Sequence, residues 1–194
     1  MIGIERIKIK SDNDWCGNYQ QINRDLEPEA DRNYIKLFND IGMPLAGNET
    51  KNIYCEKKDM NGRYDWEEGI DVILHFADGT RATMQEKYLT YHISTMTFET
   101  KKSSGKQGAW YYCTAQYYFI AYAKKYNEGD ISFQDWMLIN LPALHAIDMK
   151  TKINWKSNVN KKYKRSASFK YIEFDNVPEC CVIARKLEGV ANDN

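Results

Sequence analysis

Proline and glycine are scarce, 4 and 11 in 194 residues, and no period repeats along the chain. Collagen-like, linker-rich and solenoid organisations are therefore excluded. Long hydrophobic runs are also missing. The most apolar stretch, residues 109–123, is interrupted by Thr114 and Gln116 and falls short of the ~18 residues a membrane span requires. At the start of the chain, Glu5 and Arg6 stand where a secretory signal would place its apolar region, so a cytoplasmic location is expected. The five cysteines, Cys16, Cys55, Cys113, Cys180 and Cys181, are odd in number and contain no Cys-x-x-Cys pair. Reduced thiols rather than a disulfide framework follow. His75, His92 and His145 are too widely spaced for a zinc pattern.

What is present suits one domain over residues 1–194: 43% hydrophobic and 13% aromatic residues, enough for a sizeable core, at a mean hydropathy of −0.68. The 27 basic and 27 acidic side chains cancel overall but not locally. Residues 1–99 hold 12 basic against 18 acidic groups, residues 100–170 hold 13 against 4, and the remaining tail 2 against 5. Within the basic part, Lys150, Lys152, Lys156, Lys161, Lys162, Lys164 and Arg165 face only Asp148, with Trp155 and Tyr163 interleaved. A basic loop at about 150–165 with stacking faces is how a phosphate-tracking surface reads; a solvated lysine-rich loop is the alternative.

Apolar positions Ala30, Tyr34, Leu37, Phe38 and Ile41 recur at helical steps after Pro28 and stop at Gly42 and Pro44, which predicts a helix over 28–41. Residues 52–58 read as a short strand, followed by a turn at Asp59-Met60-Asn61-Gly62. Two β-prone runs, 70–76 and 80–88, flank Ala77-Asp78-Gly79 and predict a hairpin. A three-residue loop ending in a left-handed Gly79 pairs Phe76 with Thr80 and Asp71 with Gln85. Ile70, Val72, Leu74, Phe76, Ala82, Met84 and Tyr88 then share an apolar face, and Asp71, Ile73, His75, Arg81, Thr83, Gln85 and Lys87 the other. A two-residue loop would pair Asp71 with Glu86 and break this division. The preferred register leaves Glu86 on the apolar face, where it must turn toward solvent or a cation. Further on, 91–100 reads as a strand, 101–106 as an exposed loop, and 110–125 by its length as a buried helix. Residues 131–141 follow as a strand, 143–149 as a short helix, and 169–174 and 181–184 as extended.

An Asp on one strand facing a Gln and a Lys two apart on its partner is a set that metal-dependent phosphodiester hydrolysis can use. Carboxylate and amide oxygens coordinate Mg²⁺ or Mn²⁺, and the ammonium orients water and stabilises the developing charge. Gly69-Ile70-Asp71-Val72-Ile73 followed by Gln85-Glu86-Lys87 resembles the D…QxK form of the PD-(D/E)xK nuclease superfamily, most similar to its Mrr-like restriction endonuclease branch. The leading helix, Asp31-x-x-Tyr34-x-x-Leu37-Phe38-x-x-Ile41-Gly42, is similar to the acidic first helix of that family.

The resemblance covers roughly residues 30–90. It implies an α/β (α+β) restriction-endonuclease-like fold with an αβββαβ core, a mixed central sheet flanked by helices. It also implies a metal-dependent DNA nuclease in which Asp71 is the principal metal ligand, Gln85 the neutral second ligand and Lys87 the water-orienting group. Asp31 would be an outer carboxylate, and the Glu86 backbone carbonyl would complete the coordination. The basic loop would hold the DNA backbone, and double-strand cutting would call for a homodimer. Ile70 replaces the family's usual proline, Glu67 and Glu68 are either accessory ligands or a solvated turn, and Gln116 is an isolated candidate because position 120 is not tyrosine. Two other readings stay open: a nuclease-fold DNA-binding protein with a weak or inactive site, and a protein-interaction module.

Overall fold

The computed structural model describes residues 1–10, 17–47, 49–56, 68–90, 93–102, 104–151, 153–159 and 167–187. In chain order these form β1 (Ile4–Lys10), α1 (Gly17–Asp40), β2 (Thr50–Glu56), β3 (Val72–His75), β4 (Arg81–Leu89), β5 (Thr95–Lys101) and α2 (Ala109–Tyr112). Then follow β6 (Tyr117–Lys125), β7 (Asp130–Asn140), α3 (Leu141–Thr151), β8 (Lys156–Val159), β9 (Ser168–Glu173) and β10 (Val182–Lys186). A seven-stranded mixed sheet runs β10-β7-β6-β4-β3-β1-β2, and a second sheet runs β5-β9-β8. The protein is thus mixed α/β. No helix among the described residues is long and apolar enough to cross a membrane.

The large sheet separates two cores. On one side α1 lays Leu26, Ala30, Tyr34, Leu37 and Phe38 against Ile4, Val72, Leu74, Ala82, Met84, Tyr88, Phe119 and Ala121. On the other, Leu89, Tyr118, Ile120, Tyr122, Met137 and Ile139 pack with Met96 and Phe98 of β5, Ile172 of β9, and Leu141 and Leu144 of α3. Asn140 caps α3 by accepting a hydrogen bond from the Ala143 amide (2.9 Å).

Three sequence expectations change. The helix begins at Gly17 and not at Pro28, because Ile22 and Leu26 extend the apolar stripe upstream. Pro28 is accommodated on the exposed face, where water can serve the backbone group that its missing N–H leaves. The long helix over 110–125 is instead α2, a short turn and β6. Its apolar residues run on without alternation because β6 is paired on both edges, parallel to β4 and antiparallel to β7, and buried on both faces. The strand β1, absent from the expected order, inserts between β2 and β3, parallel to β2 and antiparallel to β3. The Asp59–Gly62 turn lies outside the described residues.

The β3–β4 hairpin has the expected register. Val72 pairs with Met84, Leu74 with Ala82 and His75 with Arg81. The Phe76 amide donates to the Thr80 carbonyl (3.0 Å), and Gly79, at φ +87°, closes the turn by donating to the Phe76 carbonyl (3.0 Å). Asp78 accepts from the Thr80 amide and hydroxyl (2.8 and 2.6 Å), which holds its carboxyl below the ordinary range.

Gly69 is constrained twice. Its φ is +61°, and a Cβ there would stand 3.1 Å from both Cβ and Sγ of Cys113. Gly79 has a similar φ but open space around it. Gly69→Ala is therefore expected to cost about 2–3 kcal/mol and Gly79→Ala about 1 kcal/mol in equilibrium urea unfolding. Equal costs would show that contact with Cys113 adds nothing.

Candidate active site

The regular ladder of the hairpin ends at Val72, and there Asp71 takes over. Its amide donates to the Met84 carbonyl (2.9 Å), its carbonyl accepts from the Ile7 amide (2.8 Å), and its Oδ2 accepts from the Glu86 amide (2.9 Å). The side chain thus replaces a rung of the ladder and is held beside Gln85. Its charge, after burial, helps to push the Cys113 thiol up to about 12 and adds to the rise of the buried Tyr118 phenol. Tyr118 is paired in register with Gln85 and packs on the side of the second sheet, so Gln85 is directed to that side too.

Gln85 and Lys87 share that side by alternation along β4. The Gln85 Oε1 is buried without a hydrogen-bond partner among the described residues. Such an acceptor costs about 1–3 kcal/mol unless a donor or cation meets it. The Lys87 ammonium lies 5.4 Å from the centroid of the Phe169 ring. Burial pulls its pKa from the ordinary 10.5 to about 8, with the Glu99 carboxylate acting in the opposite direction.

Phe169 and Glu99 are register partners on β9 and β5, so the second sheet supplies both the cover and the counter-charge. That sheet is anchored next door. Lys170 Nζ sits 3.2 Å from the Trp110 ring centroid and 4.0 Å from that of Trp155, and donates to Asp148 (2.9 Å), which also accepts from Trp155 Nε1 (2.6 Å). Cation–π and ionic contacts thereby tie β9 to α2 and α3.

Asp31 is not brought to this group. It lies on α1, on the opposite face of the sheet, where the fully buried Arg6 guanidinium donates to both Asp31 and Glu86. Tyr34 donates to the second oxygen of Glu86 (2.6 Å) and Thr50 to that of Asp31 (2.8 Å). Burial would push the Arg6 pKa down, but the charges of Glu86, Tyr88 and Asp31 outweigh it and hold the group above its ordinary value. Of the two options open to Glu86 on the apolar face, solvent or a cation, it takes the cation. Only its backbone belongs to the Asp71 side.

The remaining candidates divide. Gln116 precedes β6 and is not on a helix; its Oε1 accepts from the Thr83 amide (3.0 Å), which spends it on joining two strand starts. His75 pairs with Glu5 (3.1 Å) at the rim. Trp110 and Tyr117 pack against the two cores, and Ile120 is fully buried. The Glu68 carbonyl accepts from the Thr114 amide (2.7 Å). Lys150 is exposed at the end of α3, and Lys156 is exposed and paired with Glu173. Lys152, Lys161, Lys162, Lys164, Arg165 and Glu67 lie outside the described residues.

Sequence reasoning did not find Arg6, Glu99 or Cys113 as neighbours of these groups. The one available signal was the unmatched Glu86. Among the described residues no group of three or more His, Cys, Asp or Glu side chains is placed to hold a metal ion.

Set against models of protein families, curated proteins and solved structures, the chain matches none.

Two predictions follow from the charges. Arg6→Met leaves the carboxylates of Glu86 and Asp31, 6% and 14% exposed, without their cation, so it is expected to cost about 3–5 kcal/mol. Adding Glu86→Gln should recover part of that loss; no recovery in urea unfolding would contradict the pairing. Lys87→Met is expected to stabilise the protein at pH 7 by on the order of 2 kcal/mol. The folded chain releases the Lys87 proton near pH 8, whereas the unfolded chain holds it to about 10.5. Below pH 8 the cost of burying the charge is fully present, and between 8 and 10.5 the wild type regains stability as pH rises. The advantage of Lys87→Met should shrink across that window. The buried phenols of Tyr34, Tyr88 and Tyr118, raised in both proteins, cancel in the comparison.

Proposed function

We propose that the protein is a metal-dependent DNA nuclease that hydrolyses phosphodiester bonds at Asp71, Gln85 and Lys87. The observation that carries this reading is an Asp71 carboxylate fixed by the Glu86 amide, one residue along β4 from the unpartnered Gln85 Oε1 and from a poorly hydrated Lys87. Asp71 and Gln85 suit Mg²⁺ or Mn²⁺, hard cations that accept one or two protein oxygens and keep several waters or phosphate oxygens. Such an ion supplies Lewis acidity toward the phosphate and lowers the pKa of a water. The Glu86 backbone carbonyl, next to Gln85 on β4, would be a third oxygen.

The protein's own groups account for the rest. Asp71 is aimed by the Glu86 amide. Lys87, short of water beneath Phe169, gains more from an anion than a solvated lysine would, so its ammonium is suited to the extra negative charge that develops as water attacks phosphorus and the P–O bond breaks.

The hairpin and its crossover to a parallel strand, β3-β4-β6, support a restriction-endonuclease-like core. β5 and α2 stand where that family's long crossover helix would be, and β1 is an insertion by the same comparison. The unpaired thiols of Cys113, Cys180 and Cys181 suit a cytoplasmic protein. Duplex cutting would call for a homodimer, since one chain carries one such site.

A second reading has its own support. Asp71 is the single carboxylate contributed by the proposed set, Asp31 being committed to Arg6 on the other face. One carboxylate holds a metal weakly, which favours a DNA-binding protein with a feeble or inactive site.

Incubation with linear, circular, single-stranded and branched DNA, in Mg²⁺ or Mn²⁺ against EDTA, separates the two. The nuclease reading expects metal-dependent cleavage, reduced about 100-fold or more by Lys87→Ala and by Asp71→Asn. Binding without cleavage on every substrate would establish the second reading.

A further inference from the structure

We propose that the site takes a single-stranded nucleic acid, delivered to Asp71 across a platform formed by Lys101, Lys106 and Tyr111. The proposal rests on reading Asp71, Gln85 and Lys87 as a phosphodiester site. It specifies what that site admits.

The platform begins where β5 ends. The Lys102 amide donates to the Lys106 carbonyl and the Gly105 amide to the Lys102 carbonyl (2.8 and 2.9 Å), a tight turn that leaves Lys101 and Lys106 exposed. Lys101 bridges to Gln107, and the Gly108 amide donates to the Thr100 carbonyl (3.0 Å), which brings the chain back alongside β5 into α2. There Tyr111 is 59% exposed, while Tyr112 lies under Lys102, with Nζ 4.5 Å from the ring centroid. Among the described residues Tyr111 is the aromatic side chain that the fold leaves exposed.

The next residues join this surface to the site. Cys113 Sγ donates to the Gly69 carbonyl (3.2 Å), and the Thr114 amide donates to the Glu68 carbonyl (2.7 Å). Gly69, which Cys113 contacts, stands two residues before Asp71. Two residues of backbone, at most ~7 Å, therefore separate the exposed tyrosine from the residue that is hydrogen-bonded to the lead-in of Asp71.

Charge and shape select the occupant. The exposed Lys101 and Lys106 attract phosphate, in a part of the chain with a strong basic excess. An exposed ring stacks on bases only when they are unstacked from a duplex, so the tyrosine adds nothing for a double helix and a good deal for a single strand.

The test is fluorescence anisotropy in EDTA with the full-length chain, using a fluorescein-labelled oligothymidylate and the duplex made from it. Single strand is expected to bind about 10-fold tighter than duplex. Tyr111→Ala should weaken the single strand by about 5- to 100-fold without changing the melting temperature, and Tyr111→Trp should restore it. Lys101→Gln with Lys106→Gln should weaken both probes and reduce the salt slope by about 1 to 2. Equal affinity for the two probes, or no effect of Tyr111→Ala, overturns the proposal.

Repeating the series in Mg²⁺ with cleavage as the readout keeps the two ideas apart. Tyr111-dependent binding without cleavage overturns the hydrolytic reading and leaves the platform standing. Cleavage of duplex in preference to single strand, insensitive to Tyr111→Ala, overturns the platform and leaves hydrolysis standing.

Discussion

The burial of Arg6 organises the molecule. A guanidinium that is 2% exposed survives only with its charge met, and here it is met by Glu86 from β4 and Asp31 from α1, with Tyr34 and Thr50 completing the carboxylates. The interaction locks three elements far apart in sequence. It also decides a face. Once Glu86 turns toward α1, the pleat of β4 sends Gln85 and Lys87 to the opposite side, so a structural ion pair determines which side would carry the proposed chemistry.

That opposite side would be ordinary solvent-facing sheet without the second sheet. β5 and β9 bring Glu99 and Phe169 over Lys87, and the Lys170 contacts with Trp110, Trp155 and Asp148 hold β9 in place. A lysine in water would hold its proton firmly and gain little from a passing phosphate. Beneath this cover its pKa falls to about 8, and an anion becomes a better partner than the solvent it has lost. Asp71 is positioned by another route: its carboxylate substitutes for a ladder carbonyl, which fixes its direction through the backbone of Glu86. The proposed chemistry thus depends on one residue positioned by main chain and another by burial.

The hairpin was the most legible part of the chain. Alternation over 70–76 and 80–88, with Asp-Gly at the turn, is enough to choose one register, because a slip of one residue would expose the core face to water. The α1 stripe was legible for the same reason, although Pro28 suggested a start that packing of Ile22 and Leu26 overrode. The 110–125 stretch was not legible. A strand buried on both faces shows no period of two, and its apolar run is indistinguishable from a buried helix until its neighbours β4 and β7 are known. β1 escaped notice because its pairing partners come from residues about 45 and 70 positions away.

The sequence by itself determined the hairpin register and so which strand residues share a face, Gln85 and Lys87 among them, because that depends only on the local geometry of a hairpin and its turn. It also left Glu86 on the apolar face, to turn toward solvent or a cation. Tertiary structure alone decided that the cation is Arg6, that Asp31 serves it on the far side of the sheet, and that Lys87 is covered by Phe169 and Glu99. These are contacts between segments remote along the chain, where burial, charge pairing and packing outweigh local preference, and no spacing in the sequence encodes them.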